Sequence, residues 1–208
     1  MREAIVQRLT GAAAVVVASI LVLSGCASMP WTVADAATSP SPSTSASASA
    51  SPSEVISVIN ELATGSAVHQ LSAGAIGVAV TYWSDLSMDQ WTAGASKPLS
   101  FSMSTSLTGD GGQSVYLSQV RLVTAVTGAD GPLTAPAEVS DRSTITPGYL
   151  VKDPYSYSQS FVLPALDPAA TSVTFTIIYE LLLQTTPTSS EYSKQTATDT
   201  LTVAIAAA

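Results

Sequence analysis

From Leu99 to Leu107 the chain reads Leu-Ser-Phe-Ser-Met-Ser-Thr-Ser-Leu, which puts Leu99, Phe101, Met103 and Leu107 on one side and serines on the other. Strict alternation of this kind matches the two-residue period of an extended strand, with one face buried and one in water. A helix built from it would carry serines all round. The same period recurs in Ile76, Val78, Val80 and Tyr82, and in Leu201, Val203 and Ile205 against Thr200, Thr202 and Ala204. Two longer apolar stretches, Val115 to Val126 and Val173 to Gln184, predict central strands, the second apolar on both faces. Between them, Gly109-Asp110-Gly111-Gly112, Gly128-Ala129-Asp130-Gly131-Pro132 and Thr146-Pro147-Gly148 supply the positive or fixed φ that turns require. Six or seven strands over about 135 residues, with no crossover helices between them, must pair antiparallel. The expected fold is mainly β, an antiparallel sandwich over residues 70–208. A jelly roll is the alternative strand order.

Ahead of it, Ser53 is placed to cap a helix whose face would carry Val55, Ile56, Ile59 and Leu62 before Gly65. One short α-helix over residues 54–66 is therefore expected. Further upstream, Ala36 to Ser53 holds only Ala, Ser, Thr and Pro. Without a large apolar side chain it cannot offset an ordering cost of roughly 1–2 kcal/mol per residue, so residues 26–53 read as a disordered tether. Its Ala/Ser/Thr/Pro part spans about 23 Å as a flexible coil and at most roughly 60 Å extended.

Residues 1–25 have the layout of an export signal: Arg2 and Arg8, an apolar run from Gly11 to Leu23, then small residues. That run is shorter than the roughly 20 apolar residues that a membrane span needs. It ends in Leu23-Ser24-Gly25-Cys26, and Cys26 is the chain's one cysteine. Leu, a small residue, Gly and Cys in this place resemble the lipobox of bacterial lipoprotein signals. The resemblance implies cleavage before Cys26, lipid attachment to its sulfur, and an extracytoplasmic protein held on the bacterial cell membrane through that residue. Two acyl chains on one residue suffice for stable anchoring where one does not. The paired final strands, Val173 to Gln184 and Thr198 to Ile205, together with the polar connection holding Pro187 and Tyr192, resemble the closing hairpin of immunoglobulin-like bacterial surface domains. That resemblance implies an immunoglobulin-like or fibronectin-like sandwich and carries no active-site motif. The Cys-Trp-Cys signature of antibody domains is absent.

The formal net charge is −8, and beyond the leader the cations Lys97, Arg121, Arg142, Lys152 and Lys194 are scattered singly. A nucleic-acid partner is not expected, because no basic stripe replaces counterions on phosphates. Arg121 and Glu180, on the two long strands, are placed to pair across the sheet. The single histidine, His69, falls in a loop-like stretch before the first expected strand and reads as exposed or loosely packed. A serine triad would have to use it, yet no Gly-x-Ser-x-Gly elbow occurs. Nothing in the sequence calls for a metal or another cofactor. Asp85 and Asp89, four apart, read as solvated loop acids rather than a calcium or glycosidase pair.

Only the aromatic residues suggest a contact surface. Trp83 and Trp91 bracket the acidic loop, and Tyr149, Tyr155 and Tyr157 cluster around Asp153-Pro154. Such rings stack on sugars, anchor a protein partner, or simply pack. The expected function is a non-catalytic envelope protein that presents its domain for adhesion, assembly or ligand contact to a protein or glycan partner. The alternative is a solute- or carbohydrate-binding lipoprotein.

Overall fold

The computed structural model describes residues 58–207; the leader, Cys26, the tether and the first residues of the expected helix lie outside this range. The described chain is mainly β and antiparallel, in two sheets. In the first, β1 (Ser66–Ala73), β2 (Ile76–Trp83), β3 (Lys97–Leu107) and β8 (Tyr157–Leu163) are neighbours in that order. The second runs β10 (Tyr192–Ala204), β9 (Ala170–Gln184), β4 (Val115–Gly128), β5 (Gly131–Leu133), with β6 (Val139–Arg142) and β7 (Tyr149–Leu150) also on β4.

The alternation read from the sequence fixes the inner face. Ile76, Val78, Val80 and Tyr82 of β2 are buried, as are Leu99, Phe101 and Met103 of β3. Facing them, Val173, Phe175, Ile177, Tyr179 and Leu181 of β9 form the inner row of the second sheet. The two layers touch directly: the rings of Phe101 and Tyr179 meet edge to face at 5.8 Å, and those of Trp91 and Phe175 at 6.4 Å. One continuous core results. Each large apolar side chain it encloses contributes about 1.5–3 kcal/mol over an exposed one.

On β4 the inward phase changes partway along, from Val115 and Leu117 to Val120 and Leu122. A register shift against β9 between Leu117 and Gln119 leaves Ser118 as the extra residue, and its hydroxyl donates to Glu180 O at 2.9 Å. This bulge lets a single strand keep apolar side chains inside at both its ends. Just before β7, which pairs with β4, the chain runs close against it at Gly148, where a Cβ would stand 2.5 Å from Leu117 O.

The helix expected over residues 54–66 is not formed among the described residues. Residues 61–64 make a turn, and β1 begins at Ser66, ahead of the expected domain start at 70. The reason is competition for main-chain donors. Glu61 N donates to Thr202 O at 2.9 Å and Leu62 N to Asn60 Oδ1 at 3.2 Å, so neither closes a helical turn. Of the two residues of the expected apolar face that are described, Leu62 is buried and Ile59 is exposed. The β1–β2 hairpin closes through the two-residue turn Gly74–Ala75, with Gly74 at φ +62°. Positive φ at this position suits the right-handed twist of the flanking strands. The closing hairpin is formed by β9 and β10, with Gln184 opposite Tyr192.

Candidate functional site

Asp199 lies on β10 in line with the inward residues Ala197, Leu201 and Val203, so strand period alone carries a carboxylate into the core, where it is 8% exposed. A buried carboxylate needs partners. It has them. Oδ2 accepts from Tyr82 OH at 2.7 Å and faces His69 Nδ1 at 2.8 Å, while Oδ1 accepts from Thr200 N at 2.8 Å. Tyr82 OH and Tyr179 OH are 2.9 Å apart. Because Tyr82 has one proton and gives it to Asp199, Tyr179 donates to Tyr82. Burial, followed by the neighbouring tyrosine, raises the Tyr82 pKa far above its ordinary value; burial raises that of Tyr179 as well.

His69 is therefore not a loose loop residue. It sits on β1 with its ring edge-on to Tyr82 at 5.3 Å and its side chain 20% exposed. Its second nitrogen, Nε2, lies 3.1 Å from Glu61 Oε2. The other oxygen of Glu61 accepts from Thr202 N at 2.5 Å, and the Glu61 amide donates to Thr202 O. Glu61, His69 and Asp199 thus join the incoming chain, the outermost strand of one sheet and the outermost strand of the other. In chemical terms this is half a catalytic triad: the histidine has its aspartate, but a carboxylate stands where a nucleophilic hydroxyl would be. The ring of His69 also fills the space between the two carboxylates, where a glycosidic oxygen would need to sit. Among the described residues there is no group of three or more His, Cys, Asp or Glu side chains able to hold a metal ion.

A second buried polar centre lies at the start of β3. Lys97 is fully buried, and its ammonium donates to Thr92 O, Ala93 O and Ala95 O at 3.1, 3.2 and 2.6 Å. No carboxylate lies within ion-pair distance of it among the described residues. Burial lowers its pKa. Beside it Trp91 Nε1 donates to Ser84 Oγ at 2.9 Å, and Ser84 Oγ donates to Pro98 O at 2.6 Å.

The sequence-derived aromatic residues separate. Trp91 is fully enclosed in the core, whereas Trp83 is half-buried at the end of β2. Tyr149 and Tyr157 come together, their rings stacked at 5.2 Å and 19°, and Tyr157 OH donates to the Asp141 carboxylate. Tyr155 is 57% exposed. Asp85 and Asp89 are both exposed. Arg121 and Glu180 do approach, at 4.0 Å, with Lys194 closer to the same carboxylate at 2.7 Å. A cleft of about 570 Å³ opens between the loop at Ala93 and the end of the chain, lined by Leu166, Pro168, Ala169, Ile205 and Ala207 among others. Among the described residues no charged side chain lines it.

Asp199 and Glu61 were not singled out from the sequence. The signal for Asp199 was there: the inward row Leu201, Val203, Ile205 extends back through it by two residues. No protein-family model matches this chain, and no curated protein matches it either.

Proposed function

We propose that this chain is an exported lipoprotein, anchored through Cys26, that holds a non-catalytic immunoglobulin-like module on a flexible tether for adhesion, assembly or contact with a protein or glycan. The anchoring rests on Leu23-Ser24-Gly25-Cys26 at the end of the apolar run. The finer fold assignment is supported by neighbour order. β2-β3-β8 in one sheet and β10-β9-β4 in the other follow the A-B-E and G-F-C order of immunoglobulin and fibronectin sandwiches, with β1 added at an edge.

The observation that carries the non-catalytic reading is the use made of His69, the chain's one imidazole, whose two ring nitrogens both face carboxylate oxygens. Solute capture fits less well. A binding pocket needs several polar groups converging on its ligand. Among the described residues the cleft offers alanines, one proline and aliphatic side chains, with Thr171 as its one hydroxyl-bearing residue.

The test is intact-mass analysis of the protein from membranes of its own host, beside a Cys26→Ser variant. The expected result is a chain that starts at Cys26, carries the mass of a diacylglyceryl group and partitions into detergent, with the variant unprocessed. A native chain that keeps residues 1–25 and a free thiol overturns the anchoring. Glycan-array binding lost in Trp83→Ala would favour the carbohydrate-binding alternative.

A further inference from the structure

The outermost strands of a sheet expose unpaired main-chain groups, and proteins blunt them with charges, prolines, short lengths or covering segments. Most of the outer strands here are protected in one of these ways. On β10, Thr202 has both its N–H and its C=O taken by Glu61, and the strand carries Lys194 and an inward Asp199. β1 is fastened to β10 through His69 and Asp199. β5 is Gly-Pro-Leu, β6 carries Asp141 and Arg142, and β7 has two residues.

β8 has none of these protections. Its sequence, Tyr-Ser-Gln-Ser-Phe-Val-Leu, holds no charge and no proline, and among the described strands it pairs with β3 alone. The register shows which of its groups are free. Val162 stands opposite Pro98, which has no N–H, so this pair cannot exchange two main-chain bonds. Alternation along an antiparallel ladder then assigns Leu163, Phe161 and Gln159 to the bonded pairs and turns the N–H and C=O of Ser158, Ser160 and Val162 outward. Two contacts agree. Thr105, in phase with Leu99 and Phe101 on β3, bonds toward the β8 side, to Val151 O and Asp153 N. The outward amide of Ser160 is met by the side chain of its own neighbour, Gln159 Oε1, at 3.0 Å.

We infer that β8 is a pairing edge for a second copy of this chain. Two features select a second copy over an unrelated strand. The first is self-complementarity: antiparallel pairing about a two-fold axis at Ser160 sets Ser158 opposite Val162 of the second copy and Ser160 opposite its own equivalent. Once Gln159 Oε1 gives up the Ser160 amide, every outward donor meets an acceptor, the isologous contact of a two-fold dimer. The second is charge. The chain carries −8 overall, so two copies repel over most approaches. On this side Ser158, Ser160 and Val162 lie beside Ser100, Ser102, Ser104 and Ser106 of β3 and Gly77, Ala79 and Thr81 of β2, with no ionisable group in these rows. The product is a continuous sheet running through both copies. Its interface belongs to the small, weak class below about 1,200 Å², so association should be concentration-dependent.

The test is sedimentation equilibrium of the full chain carrying Cys26→Ser, so that neither thiol nor lipid contributes to association, over about 1 to 500 µM. The expected result is a monomer–dimer equilibrium that Val162→Lys weakens at least tenfold. Val68→Lys, on the opposite edge of the same sheet, should leave it unchanged. Ser160→Pro, which removes an outward N–H, should also abolish dimers. Should that variant fail to fold, the exposed Val162→Lys decides. A monomer throughout the range, or a dimer indifferent to Val162→Lys, overturns the inference.

Discussion

Replacing Tyr82 by phenylalanine removes one oxygen atom from the centre of the Asp199 network and breaks two bonds of different kinds. The bond to the Asp199 carboxylate, at 2.7 Å, is charge-assisted and worth about 1.5–3 kcal/mol. The bond from Tyr179, at 2.9 Å, is neutral, but its loss strands a hydroxyl in a fully buried position, which costs about 1–3 kcal/mol. Tyr82→Phe should therefore cost about 2.5–6 kcal/mol. Tyr179→Phe leaves Tyr82 bonded to Asp199 and should cost only about 0.5–1.5 kcal/mol. The double variant has no stranded hydroxyl, so adding Tyr179→Phe to Tyr82→Phe should recover about 1–2 kcal/mol. Urea unfolding followed by tryptophan fluorescence measures all three, with the m-value as a check on the unfolded state. In a domain of this size each kcal/mol moves Tm by about 2–4 °C. Equal costs for the two single variants, or simple additivity in the double, would refute the donor order deduced here.

Other expectations follow from the same geometry. Lys97→Met leaves the Ala95 carbonyl without its donor, while Thr92 O keeps Ala95 N and Ala93 O keeps Leu166 N, and should destabilise by about 1–3 kcal/mol in the same unfolding assay. Leu62→Ala empties a fully buried position beneath the incoming chain and should cost about 2–5 kcal/mol, whereas Ile59→Ala, an exposed change, should fall within about 0.5 kcal/mol of the parent. Tyr82, Tyr157 and Tyr179 have pKa values raised chiefly by burial, so the fold favours their neutral forms. That contribution is complete below the ordinary tyrosine pKa of about 10 and is lost as pH rises beyond it. Absorbance at the phenolate band should therefore show these three of the seven tyrosines ionising only as the protein unfolds in alkali. Ionisation of all seven together with the fold intact would contradict it.

What the sequence made legible was whatever a two-residue period can express. β2, β3 and the last part of β10 lie where alternation puts them, because one face of each meets the core and the other meets water. β1 was missed for a physical reason. Its inward row runs Ala67, His69, Leu71, Ala73, and a histidine in such a row looks like an interruption until Asp199, 130 residues away in sequence, is placed against it. The helical spacing that ends in Ile59 and Leu62 misled in the opposite way: over the described residues its local preference yields to main-chain pairing of Glu61 with Thr202, which no local window contains. The aromatic residues gave types without positions. Trp91 and Trp83 look alike in sequence, yet a hydrogen bond to Ser84 and a ring contact with Phe175 draw one inside.

The ammonium of Lys97 gives the loop around it an independence that bound ions do not provide. A loop organised by calcium takes its shape from the medium, and it slackens when the ion is chelated or diluted. Here the cation is on a covalent stem, so it cannot be exchanged, sequestered or washed away. The segment from Thr92 to Ala95 should hold one conformation in divalent-free buffer and in brine alike.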